Sequence, residues 1–211
     1  MNRRYAVPLA ALLALGASPA LAATKPPAKS CNVISDDAGD AAPGFAGQKT
    51  GPSSDAVDIV GGDLGSGAKN VVILLRLKSL NTDTVTSTGA TYTFAWRIGA
   101  TPQSVLLTRY NDGSGVASYK SDASFGSNTD DIPIGFFVDQ ATGTITWSIS
   151  RKLVPELKKK GAKFSGFAAT ARPAFNVKAS SSSTSATTLD GDDASSPRSY
   201  VDSTPTCVKG I

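Results

Sequence analysis

The chain has no histidine, a single methionine at position 1, two cysteines and one glutamate, Glu156, in 211 residues. Without imidazole there is no His general base, no Ser-His-Asp or Cys-His nucleophile, and no His-ligated zinc or haem. Two cysteines are too few for a Cys-only zinc or iron–sulfur site. With glutamate reduced to one position, a glycosidase-like acid pair would have to come from aspartates such as Asp130-Asp131. Those neighbours lie between Gly126 and Pro133, in a stretch that reads as a turn. No nucleophile elbow and no phosphate loop is present. The chain is expected to bind, not to catalyse.

The first residues read as an address. Asn2-Arg3-Arg4 is a short basic region, Tyr5 to Leu21 carries no charge, and Ala20-Leu21-Ala22 places small residues at both positions of an A-x-A site. That is the grammar of a secretory signal peptide, residues 1–22, cleaved after Ala22. The apolar part is short and broken by Pro8, Gly16 and Pro19, which argues against a membrane span. The flanks of Arg3-Arg4 fit a twin-arginine signal poorly. The expected location is secreted or extracellular.

Removing Arg3 and Arg4 takes the net charge from +4 to +2. The basic residues do not cluster outside Lys158-Lys159-Lys160, and aromatics are not interleaved with them, so no nucleic-acid partner is implied. The lysine run reads as a solvated helix end. After the leader, residues 23–30 (Lys and Pro rich) form an extended tail, and 31–211 is long enough for one sizeable domain. Cys31 and Cys207 stand near its two ends. In an oxidising compartment they pair and tie the termini together.

The middle of the chain alternates with a period of two. Tyr92, Phe94, Trp96 and Ile98 oppose Thr91, Thr93, Ala95 and Arg97; Ile145, Trp147 and Ile149 oppose Thr144, Thr146 and Ser148. Such alternation marks strands with one buried face, filled by the β-branched and aromatic residues that pleated surfaces prefer. Val71–Leu77 reads the same way on its odd positions, and further strands are expected at 57–64, 104–110, 115–119, 134–138 and 163–171. Asn111-Asp112-Gly113 and Asp139–Gly143 supply turn chemistry, the second ending in a left-handed glycine. A short helical turn fits 151–160, limited by Pro155. The Ser/Thr-rich stretch 178–196 cannot bury apolar surface and reads as a flexible loop before a last short strand near Tyr200-Val201. The fold class is all-β: an antiparallel two-sheet sandwich, immunoglobulin-like or jelly-roll, with one short helical turn.

Several segments carry a family likeness. The opening Asp36-Asp37-Ala38-Gly39-Asp40, the strand Val57-Asp58-Ile59-Val60-Gly61-Gly62-Asp63, the aliphatic strand ending Leu77-Lys78-Ser79-Leu80, and Gly135-Phe136-Phe137-Val138 followed by Gly143–Ile149 together resemble bacterial secreted DOMON-type β-sandwiches. They are similar also to the family-9 carbohydrate-binding module. The resemblance covers about Cys31 to Phe175. It implies an immunoglobulin-like jelly-roll and extracellular binding of sugar or haem, sometimes beside calcium. Haem held through Met and His does not fit, because the exported chain has neither.

Trp96 and Trp147 lie on the apolar side of alternating strands and read as core. The candidate ligand residues are therefore Tyr110 and Tyr119, flanking the turn, with Asn111 and Asp112 as partners for hydroxyl groups. Asp36, Asp37 and Asp40, with Asp58 or Asp63 nearby, offer hard oxygen ligands for a structural calcium ion, although aspartate also favours turns by bonding its own backbone. Asp190-Gly191-Asp192-Asp193 is a second acidic cluster without the closing Glu of an EF-hand. No other cofactor is expected. The function implied is a secreted non-catalytic binding module for a carbohydrate or cell-envelope ligand. The alternative is a structural or protein-interaction domain that engages another exported protein.

Overall fold

The computed structural model describes residues 29–41, 55–80, 89–110, 112–121, 131–159, 161–175, 187–188 and 191–208. The leader, nearly all of the tail, Asn111, Asp130, Lys160 and positions 178–186 and 189–190 lie outside the described residues. Twelve strands are described: β1 Ile34–Ser35, β2 Ile59–Ser66, β3 Asn70–Leu77, β4 Gly89–Ile98, β5 Thr101–Tyr110, β6 Gly115–Ser121, β7 Ile132–Pro133, β8 Gly135–Asp139, β9 Thr144–Ser150, β10 Lys163–Phe175, β11 Thr187–Thr188 and β12 Asp192–Val201. They form two antiparallel sheets, one ordered β1-β2-β3-β9-β8 and the other β11-β10-β4-β5-β6-β7, with β12 also paired to β10. The expected two-sheet sandwich is what the chain forms. The helical stretch is two separate 3-10 turns, Arg151–Leu153 and Pro155–Lys158, because Val154 leaves the helical region just before Pro155.

Period-two strands bury one face between the sheets. Tyr92, Phe94, Trp96 and Ile98 of β4, Val105 and Leu107 of β5, and Ile145, Trp147 and Ile149 of β9 all enter the core. Trp96 and Trp147 are 1% and 0% exposed. Trp96 stacks on Tyr119 with ring centroids 6.5 Å apart, and Phe94 meets Phe167 edge-on at 6.3 Å. Each such ring stabilises the fold by about 2–3 kcal/mol through burial. Both indole N–H groups lie buried without a hydrogen-bond partner, which gives back part of that gain.

The last strand corrects an expectation. β12 runs ten residues from Asp192, so positions 192–196 belong to the sheet and not to the expected loop. It pairs Ala171↔Asp192 through Phe167↔Ser196, then Ser165↔Ser199 through Lys163↔Val201, with an irregularity between. Pro197 falls in that gap, where its missing N–H breaks no ladder bond. The strand carries small polar residues because one face stays exposed. Asp192, Ala194 and Tyr200 are its buried positions.

The termini meet at the far end of β12. Cys31 and Cys207 are joined by a disulfide across 176 residues, with Cα atoms 5.4 Å apart. Ser30, expected in the tail, already belongs to the fold: its N–H donates to the Pro205 carbonyl at 2.7 Å, and it bridges Thr206.

Candidate functional site

Three elements converge where β1, β2 and β12 begin or end. Asp36 follows β1, Asp40 closes the turn that comes next, Asp58 immediately precedes β2, and Asp192 opens β12. Carboxylate oxygens of Asp36, Asp40 and Asp192 lie within 4.8 Å of one another. Backbone bonds fix this arrangement. The Gly39 N–H donates to Asp58 Oδ2 at 2.6 Å, and the Ile59 N–H donates to Asp192 Oδ2 at 2.7 Å across 133 residues. Gly39 has φ +96°, a left-handed turn that glycine adopts without strain. Gly191 brings β12 close to β10: a Cβ there would sit 1.9 Å from the Ala171 carbonyl oxygen.

The electrostatics of this corner are one-signed. Burial pushes the Asp192 carboxyl up to about 6, with Asp36 and Asp40 adding repulsion. Burial also raises Asp36, helped by Asp40, Asp37 and Asp58, and raises Asp58. Asp58 is fully buried and its Oδ1 makes no hydrogen bond; Asp36 Oδ2 is likewise buried without a partner. The cation nearest Asp58 is Lys78, with its ammonium 3.8 Å from Asp58 Oδ2 and 2.8 Å from Asp55. Carboxylates so arranged can share protons or share a cation. Acid–base catalysis would need a substrate to reach Asp192, which is 7% exposed with one oxygen engaged by Ile59.

Of the expected calcium ligands, the structure brings Asp36 and Asp40 together. Asp37 is exposed and outside the group, its N–H bonded to Asp36 Oδ1 at 3.1 Å. Asp63 stands elsewhere, beside the disulfide sulfurs, with its Oδ1 accepting from Leu64 N–H at 2.9 Å. Asp192, assigned in the sequence to a separate cluster, completes the group. No local pattern links residue 192 to residues 36–40; only the register of β12 does.

The expected ligand residues separate. Tyr119 is 0% exposed, stacked on Trp96, and its hydroxyl donates to Gln103 Oε1. Burial pushes that phenol up to about 12. It is not available to a ligand. The signal was present: Val116 and Lys120 are outward and polar or exposed, which turns Ala117 and Tyr119 inward on the same strand. Tyr110 remains half-buried at the end of β5. Asp112 is exposed, but it shapes its own turn: the Ser114 hydroxyl donates to its Oδ1 at 2.6 Å and the Ser114 N–H at 2.9 Å. Those bonds hold its carboxyl below the usual range. Asn111 lies outside the described residues.

Two grooves flank the second 3-10 turn, of about 480 Å³ beside Lys69, Arg151 and Lys158, and about 730 Å³ beside Ile98, Glu156 and Lys163. Their charged residues are surface lysines and Glu156, together with Arg151, which is committed to Asp202 at 2.5 and 2.8 Å. Among the described residues, no helix is long and apolar enough to cross a membrane.

The fold and its chemistry thus define a disulfide-closed antiparallel β-sandwich with one acidic corner. No family model, no curated protein and no solved structure matches this chain. The DOMON-type likeness therefore rests on the residues that suggested it.

Proposed function

We propose that the chain is an exported, non-catalytic binding module whose partner is another exported protein. The leader-like first 22 residues and the disulfide support export. The observation that carries the choice of partner is where the rings lie. Trp96, Trp147, Tyr92, Tyr119 and Tyr200 are buried, so they form no sugar platform. The exposed large apolar side chains, among the described residues, are Val116, Phe137 and Val201, and Phe137 is 67% exposed. Phe137 sits on β8, the last strand in its sheet order among the described residues, and such an edge can take an added strand.

A glycan or envelope ligand is the second reading, favoured by the half-buried Tyr110 beside the exposed Asp112. One experiment separates the two. The purified chain is cross-linked on producing cells and, in parallel, sedimented with insoluble polysaccharides. The protein reading expects a discrete cross-linked species that Phe137→Ser removes while the unfolding midpoint is unchanged. Saturable sedimentation that survives Phe137→Ser and is lost in Tyr110→Ala would overturn it in favour of the glycan.

A further inference from the structure

We propose that Asp36, Asp40 and Asp192, backed by Asp58, form a calcium site that clamps the start of β12 to the β1–β2 end of the sandwich. This goes beyond the binding reading and does not depend on it.

Four observations carry it. The first is geometry: oxygens of three carboxylates from remote parts of the chain lie within 4.8 Å of one another, close enough to share one ion. The second is an unmet need. Asp58 is fully buried beneath the turn that bears Asp36 and Asp40, its Oδ2 held by Gly39 N–H, while its Oδ1 makes no hydrogen bond. A buried carboxylate oxygen without a partner costs free energy unless a cation or a proton satisfies it. Asp36 Oδ2, also buried without a partner, presents the same need.

The third is charge balance. Asp36, Asp40 and Asp192 bring three carboxylates together, with Asp58 tied to the same turn through Gly39, and Lys78, 42% exposed and closer to Asp55, reaches Asp58. The fourth is ligand chemistry. Only oxygen donors are present, with neither imidazole nor a free thiol in the group, which selects a hard cation. Calcium accepts irregular geometry and six to eight oxygens, which carboxylates in bidentate mode and water can supply; magnesium demands a tighter octahedron.

The ion would add a second link between the start of β12 and the β1–β2 end, beside the Ile59 N–H bond to Asp192 Oδ2. It would act as the disulfide does at the other end of the same strand. Affinity in the range of exported modules, a Kd of about 10⁻⁴ M, is expected for this ligand set.

The test is thermal unfolding of the full disulfide-bonded chain after EDTA treatment, with titration calorimetry alongside. Addition of about 10 mM CaCl₂ to the stripped chain should raise Tm by about 5–10 °C, reversed by chelator, with one ion bound per chain. Asp40→Asn removes an exposed ligand, so it should fold in EDTA and lose the calcium shift; Asp192→Asn should lose it too. No shift and no heat with CaCl₂ would overturn the proposal. So would an equal shift from NaCl at matched ionic strength, which would show screening alone, or a full shift retained in Asp40→Asn.

Discussion

Strand β12 has a buried aspartate at each end, and the two are accommodated in opposite ways. Just past the C-terminal end, Asp202 accepts from both terminal nitrogens of Arg151, at 2.5 and 2.8 Å, and from the Ser66 hydroxyl at 2.6 Å. The guanidinium holds its carboxyl below the usual range. At the N-terminal end, Asp192 meets Asp36 and Asp40, and burial with their repulsion pushes it up to about 6. Burial alone therefore says little about an aspartate's role. What faces it decides: the Asp202 end is a completed ion pair that fixes a strand, and the Asp192 end holds charge that the described side chains do not neutralise.

The C-terminal end should be the costlier one to break. The Cys31–Cys207 disulfide closes a loop of 176 residues there, and the Cys31→Ala/Cys207→Ala variant should lose about 5 kcal/mol in urea unfolding. A loss below about 1 kcal/mol would show that the Ser30–Thr206 bridge and Arg198, whose guanidinium donates to the Cys31 and Asn32 carbonyls, already hold the termini.

Next in size, Arg151→Met leaves Asp202 buried without its cation and should cost about 3 kcal/mol, or about 6–12 °C in Tm. The pH dependence has a definite sign. Asp202 is depressed in the folded chain, so its contribution is present above the unfolded value of 3.8 and fades as pH falls below it. The stability gap between the wild type and Asp202→Asn should hold from neutral pH to about 5 and narrow toward pH 3. A gap that widens on acidification would contradict the pairing.

This contrast also separates what the sequence showed from what it hid. Strands such as Thr91–Ile98 and Thr144–Ile149 were legible because large apolar residues alternate with polar ones, and burial follows that alternation. β12 was hidden because an exposed edge needs no large side chains on its wet face, and its inward positions include Asp192 and Ala194. Nearness to the turn points to Tyr119 as a ligand residue, but strand parity sends it inward with Ala117. Half of the acidic corner was visible as the Asp36–Asp40 run. Asp192 joined it only through β12 pairing with β10, a long-range register that composition does not carry.

At the N-terminal end, removing charge should do the reverse of removing Arg151. In EDTA at neutral pH, Asp192→Asn keeps an oxygen for the Ile59 N–H and deletes a buried negative charge beside Asp36 and Asp40. The variant should be more stable than the wild type by on the order of 1 kcal/mol, read from the urea midpoint at constant m. A loss of stability would mean that the ionised form is needed to hold Ile59, and the two ends would then be alike.

The smallest effect sharpens the comparison most. Lys78 is the acidic corner's nearest counterpart to Arg151, but its side chain is 42% exposed and its ammonium sits closer to Asp55 than to Asp58. Solvent screens such a pair, and a flexible ammonium makes no bidentate fork. Lys78→Met in EDTA should therefore move Tm by about 1 °C or less, against the larger fall for Arg151→Met. If Lys78→Met instead matched Arg151→Met, Lys78 would already be serving as the cation of this corner. Both ends of β12 would then be closed by protein charge, and the need for an ion at Asp192 would vanish.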